Sequence, residues 1–177
     1  AQMFGIDKYE DCVQKALNYY LSQEDLTDFK TLSHFNAYII EGLIDMGETK
    51  RAKRAMDLIS LHQRENGMIP AYSFVDFVCS TGLLQYAICW YKLGEIEKAD
   101  KAFDYVCNLQ NKSGGFYGSY TKGLDKANYF PNGEIDWAVK YFLDAIYYGQ
   151  KSKLEYEDGR KEGLFSAWIG VENEVIL

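Results

Sequence analysis

The segment Lys101-Ala102-Phe103-Asp104-Tyr105-Val106-Cys107-Asn108-Leu109-Gln110-Asn111-Lys112-Ser113-Gly114-Gly115-Phe116 holds the key to the architecture, because an earlier segment repeats its pattern. Ala102, Phe103, Val106 and Leu109 fall on one face of a helix, and the paired glycines that follow are a helix stop. A shift of 47 residues lays Ala102 on Ala55, Asp104 on Asp57, Gln110 on Gln63 and Gly114 on Gly67. Working outward, the same shift lays Gly94-Glu95 on Gly47-Glu48 and Lys98-Ala99 on Arg51-Ala52. With eight residues inserted in the following loop, the helix leading to Gly149 aligns with the one leading to Gly94, and Tyr141 falls on Tyr86. The unit is a helix pair, present three times, with short turns at one end and long glycine-rich loops at the other. Such pairs bury a continuous core only by stacking on their neighbours.

The periodicity predicts helices over residues 8–23, 32–46, 49–65, 76–93, 96–112 and 134–148, with stops at Gly47, Gly67, Gly94, Gly114-Gly115 and Gly149. Strand signals are weak before residue 150. The chain therefore reads as all-α, with three antiparallel helix pairs filling residues 1–150. Residues 151–177 read as a tail or arm leading toward a further domain. A seventh helix, a hairpin around Asp158-Gly159 and an arm docked elsewhere all stay open, and Asn173-Glu174-Val175-Ile176-Leu177 would suit the first strand of such a domain.

Composition narrows the function. The 177 residues are 47% hydrophobic and 25% charged, enough apolar material for a core without a disulfide or metal staple. A net charge of -7 with interspersed signs repels a phosphate backbone, so nucleic acid is not an expected partner. Cys12, Cys79, Cys89 and Cys107 form no CxxC pair and all fall in stretches that read as helix, which points to reduced thiols and a cytoplasmic setting. No apolar run reaches the roughly 18 residues of a membrane span.

The quoted segment resembles the QW repeat of triterpene cyclases: basic, small, two spacers, aromatic, aliphatic, three spacers, Gln, three spacers, Gly, one spacer, aromatic. Phe116 stands where that family has Trp. A preceding copy, Arg54-Ala55 with Leu58-Ile59, Gln63, Gly67 and Ile69, keeps the spacing but not the aromatics, and a degraded third copy begins at Lys15-Ala16 with Tyr19-Tyr20. The resemblance is to the α/α-toroid superfamily, which also holds the protein prenyltransferases. It implies that the Gln caps the outer helix and the aromatic stacks on it, a stabilising role. Three pairs would make an open half of a toroid, since a closed ring of six pairs at this period needs about 280 residues. The strings Phe77 to Gln85 and Tyr129 to Ala145 also look like the toroid segment that accompanies a methyltransferase in some bacterial surface-polysaccharide proteins. No GxGxG loop after a strand is present, so no cofactor is expected.

In a toroid the inner helices start on the long-loop face. Aligning the three inner helices places His34, Thr81 and Asp136 at one level, with Tyr38, Gln85 and Lys140 one turn further in, and Glu41, Asp45 and Asp144 beyond them. One reading makes this the solvent face of amphipathic helices. The other makes it a cleft completed by Tyr72, Asp76, Cys79, Ser80, Tyr117, Tyr120, Trp137 and Tyr141, taking a saccharide or an isoprenoid-like ligand. His34 with Asp136 or Glu134 would form an acid/base pair. First-turn carboxylates also favour the helix dipole without any chemistry. Protein prenyltransferases hold zinc with Asp, Cys and His, and Asp76, Cys79 and His34 are the nearest set here, at a spacing that matches no zinc motif; no metal is expected. The DxDD acid of the cyclases is missing, as are a GxSxG elbow and a phosphate loop. The expected function is a non-catalytic binding or scaffold module accessory to a glycan- or envelope-biosynthesis transferase. A toroid-superfamily enzyme is the alternative, and a homodimer or a partner transferase domain would cover the open inner face.

Overall fold

The computed structural model describes residues 7–172, with side chains through residue 158. Helices α1 (Asp7–Leu21), α2 (Ser33–Asp45), α3 (Thr49–Ser60), α4 (Ser80–Lys92), α5 (Ile96–Cys107) and α6 (Asp136–Glu172) make the chain all-α, with two short strands, β1 (Val78–Cys79) and β2 (Ser119–Tyr120). The strands pair antiparallel, Val78 with Tyr120 and Cys79 with Ser119.

The 47-residue period holds at the level of backbone hydrogen bonds. Helix α2 maps onto α4 and α3 onto α5, end for end. At the short turns Gly47 and Gly94 adopt φ of 81° and 77°. In each case the next residue closes the helix: Glu48 N–H donates to Leu43 O at 2.8 Å, and Glu95 N–H to Trp90 O at 2.9 Å. This is a Schellman-type end, whose left-handed position favours glycine. At the long-loop end Gly67 and Gly114 have φ of 86° and 91°. There Arg64 N–H donates to Met68 O and Asn111 N–H to Gly115 O, both at 2.9 Å.

Helix α4 is the centre of the molecule. Every residue from Ser80 to Tyr91 is buried. It packs against α2, α5 and α6, with α3 behind. Its apolar surface, led by Leu83, Leu84, Tyr86, Ile88 and Trp90, supplies much of the main core. Gly82 lets α2 come close, since a Cβ there would lie 2.0 Å from Ser33 Oγ. Helix α1 differs from the rest, for it buries no residue. Its C-terminal end is held by Arg51, whose guanidinium donates to Leu21 O at 2.6 Å and to Gln23 O.

Three expectations need correction. Helix α6 does not stop at Gly149 but runs on to Glu172. The glycine serves packing: a Cβ on it would sit 3.0 to 3.2 Å from the Tyr91 ring, so its absence lets α6 lie against α4. A hairpin at Asp158-Gly159 is thereby replaced by helix, while Asn173 to Leu177 lie outside the described residues. Helices α3 and α5 end about five residues early, because residues 61–67 and 108–114 form the hydrogen-bonded turns just given. Finally, Cys79 is not helical. With φ of -104° and ψ of 117° it is extended ahead of α4, paired with Ser119, and α4 starts after it. Among the described residues, no helix is long and apolar enough to cross a membrane.

Candidate functional site

The polar residues at the starts of α2 and α4 meet below a roof of tyrosines. His34, in the first turn of α2, is only 4% exposed, and its Nδ1 lies 2.6 Å from Oε1 of Gln85 on α4. A carbonyl oxygen only accepts, so Nδ1 carries the proton and the neutral ring keeps its lone pair on Nε2. Burial lowers the His34 pKa and the Gln85 bond partly opposes this. Gln85 and Thr81 stand one turn apart on α4 and both are fully buried. Among the described residues, Thr81 Oγ1 and Gln85 Nε2 have no hydrogen-bond partner, an arrangement that costs stability in a core.

The roof comes from α2, α6 and the last loop. Tyr38 lies 4.6 Å from the His34 ring, Tyr129 6.0 Å and Tyr141 6.1 Å, and Tyr38 meets Tyr141 edge-on at 5.9 Å. Burial, with a hydrogen bond between Tyr141 and Tyr38, pushes the Tyr141 phenol well up. Lys140 places Nζ 3.9 Å above the Tyr141 ring and pairs with Asp144 at 2.6 Å. Phe130 flanks this group, 5.0 Å from Tyr129 and 5.7 Å from Trp137. Its φ of 46° is the one positive value at a non-glycine among the described residues. A bulky residue held there is strained. Gly118 N–H donates to its carbonyl at 3.0 Å and keeps it in place.

Thus His34, Tyr38, Gln85 and Tyr141 come together, with His34 bonded one turn beyond Thr81, the residue with which the repeat aligns it. The two carboxylates are engaged elsewhere. Glu134 accepts from Asn111 Nδ2 at 2.8 Å and from Ser113 Oγ, which hold its carboxyl below the usual range and pin the glycine turn. Asp136 Oδ1 accepts from the Trp137 N–H at 2.9 Å in the first turn of α6. Asp76 clamps the long loop: its carboxylate accepts from Leu124 N–H at 2.7 Å and Asp125 N–H at 2.8 Å, while Asp125 accepts from Asp76 N–H at 3.0 Å. Ser80 donates to Tyr117 O at 2.7 Å, and Tyr120 Oη accepts from Tyr117 N–H at 2.8 Å. Tyr72 stacks on Phe74 at 5.5 Å beside a small second core of Leu32, Ala71, Phe77 and Cys79. Burial pushes the Cys79 thiol up to about 11, the wrong direction for a thiolate ligand. Among the described residues, no three His, Cys, Asp or Glu side chains are placed to hold a metal ion.

The QW-like elements do not repeat one contact. Gln63 Nε2 donates to Lys98 O of α5 at 2.9 Å, whereas Gln110 Nε2 donates to Gly114 O of its own turn at 2.9 Å. Phe116 is fully buried against Phe142 of α6 at 5.1 Å. Tyr129 and Phe130 belong to the site although the helix alignment has no place for them, since they lie in the inserted loop. Their only signal in the sequence is the density of aromatics there. Comparison of the chain with protein-family models, with curated proteins and with solved structures finds no match.

Proposed function

We propose that this chain is a non-catalytic helical-repeat binding module of the α/α-toroid type, and that it holds a saccharide where the starts of α2, α4 and α6 converge on His34. The observation that carries this is the His34–Gln85 hydrogen bond beneath Tyr38, Tyr129 and Tyr141. A sugar presents hydroxyls at its edge and C–H groups on its faces. Neutral donors and acceptors set among aromatic rings match both, and a few polar groups in an aromatic setting are the usual make-up of a small-molecule site. The role as an accessory to a glycan- or envelope-biosynthesis transferase follows from the resemblance of the repeat, and an open arc of three pairs leaves its inner face to such a partner or to a second copy.

The enzyme reading has one favourable feature, the lone pair on His34 Nε2, which is the form a general base needs. Both candidate acids are engaged instead, Glu134 by Asn111 and Ser113 of the glycine turn and Asp136 by the Trp137 N–H of its own first turn. Calorimetric titration of mono- and oligosaccharides and of isoprenoid alcohols, with turnover followed in parallel, separates the two. Binding of a saccharide that His34→Ala abolishes, that Asp136→Asn leaves intact and that has no turnover is the expected result. Turnover that collapses in both variants while each stays folded would overturn the binding-module reading.

A further inference from the structure

Helix α1 stands off from α2, and between them lies a cavity of about 360 Å³. Val13 and Leu17 of α1, Leu26 of the connecting segment, and Ile39 and Leu43 of α2 form its walls, and no charged side chain lines it. Its volume falls in the lower part of the range of small-molecule sites, roughly 300–1,000 Å³.

Gly42 lies on the cavity, in the interior of α2. Glycine there weakens a helix relative to alanine, so its presence calls for a contact that only glycine permits. For Gly82 and Gly149 that contact is visible, as a Cβ would strike Ser33 in the first case and press on Tyr91 in the second. For Gly42 there is none: a Cβ would meet nothing within 4 Å. The open space over Gly42 is part of the cavity, and α1, which buries no residue of its own, borders it on the other side. A free volume of about 360 Å³ with wholly uncharged, mostly aliphatic walls suits a chain of methylenes. Tyr38 lies on the cavity as well as beside His34, so the apolar slot opens next to a polar cluster.

We propose that the cavity between α1 and α2 binds a single aliphatic chain of the fatty-acyl or alkyl class, lying along Gly42 with its polar end toward Tyr38. The site adjoins the saccharide position at Tyr38, and binding of the alkyl chain does not require a saccharide. The test is to titrate dansyl-labelled undecanoic acid, whose emission brightens and shifts blue on leaving water, into the full chain. Saturable binding of one probe per chain, displaced by unlabelled dodecanoic acid, is expected. Gly42→Leu fills the slot and should weaken binding by about tenfold or more. It also removes a helix-interior glycine, so its melting temperature should rise, which separates loss of the site from loss of the fold. Absence of saturable binding, or a Gly42→Leu variant that binds like the parent, would overturn the proposal. So would a light-scattering mass that halves in Gly42→Leu, which would assign the cavity to contact with a second copy.

Discussion

His34 Nδ1 and Gln85 Oε1, 2.6 Å apart, join the first turn of α2 to the second turn of α4 through a bond buried on both sides. The burial of the His34 ring gives the fold a pH dependence of definite sign, which the bond to Gln85 only partly opposes. Unfolded, the imidazole titrates near 6.5; folded, burial holds its pKa lower. Above the unfolded value both states are neutral and pH has no leverage. Below it the unfolded chain takes up a proton that the folded chain does not, so stability falls as the pH drops from the unfolded toward the folded value. Urea midpoints measured at about pH 7.5 and about pH 5.5 should differ in that direction, and His34→Phe should shrink the difference.

Replacing Gln85 with leucine leaves the His34 N–H without its acceptor in a buried setting. A loss of about 1–3 kcal/mol is expected from urea unfolding, with helix content by circular dichroism unchanged.

Gly67 and Gly114 occupy equivalent left-handed positions, but their surroundings differ. A Cβ on Gly114 meets nothing within 4 Å, whereas one on Gly67 would fall 1.8 Å from the Lys101 carbonyl oxygen of α5. Gly114→Ala should therefore cost only the conformational penalty, about 1–2 kcal/mol. Gly67→Ala should cost clearly more, because backbone rather than a side chain must yield. Equal losses in the two variants would show that the first helix pair does not lean on the second through this glycine.

Lys92 ties three helices together. Its ammonium lies 3.0 Å from Glu41 and 2.7 Å from Asp45, both on α2, and 4.8 Å from the centre of the Tyr148 ring on α6. Burial works against the charge, but the Asp45 and Glu41 carboxylates more than offset it and hold the ammonium above its ordinary range. Because the Asp45 side chain is 59% exposed, solvent screens part of the attraction. Lys92→Met should lose about 1–2 kcal/mol, less than a fully buried pair would, and the loss should diminish as salt is raised.

Asp76 and Asp125 hold the loop before α6 through exchanged backbone hydrogen bonds. Gly123 sits against the Asp76 carboxylate, where a Cβ would fall 2.0 Å from Oδ2. Asp76→Ala should speed proteolytic cleavage within residues 121–132 while leaving the melting temperature of the helical core nearly unchanged. Cleavage at the parent rate would mean that the bonds of Ser119 to Tyr129 and of Gly118 to Phe130 suffice to hold the loop.

The helices of the first two repeats and their short turns were legible in the sequence because the repeat constrains them twice. Glycines in equivalent positions must satisfy equivalent backbone geometry, so Gly47 with Gly94 and Gly67 with Gly114 mark real ends. Gly149 misled for the converse reason: a glycine can serve a neighbour's side chain as well as its own backbone, and only the position of Tyr91 tells which. Within the site, the alignment of α2 with α4 sets His34 level with Thr81 and one turn from Gln85, the residue it bonds. The roles of Glu134 and Asp76 did not, since their partners Ser113, Asn111, Leu124 and Asp125 are loop residues whose positions no periodicity dictates. The helical periodicity over residues 76–93 takes in Cys79, yet pairing with Ser119 in the loop outweighs local propensity there.

The unbroken course of α6 gives the molecule a mechanical property. At 1.5 Å per residue its 37 residues span about 55 Å, against about 20 Å for the 13 residues of α4 on which it lies. Its first turn carries Asp136 and Trp137 beside the aromatic group around Phe130, and its fulcrum is the contact of Gly149 with Tyr91. A small tilt at the fulcrum, such as a ligand pressing on Tyr141 would produce, becomes a several-fold larger sweep at the far end. The helix thus has the proportions of a lever arm, with about 20 Å of its length before Gly149 and about 35 Å beyond it.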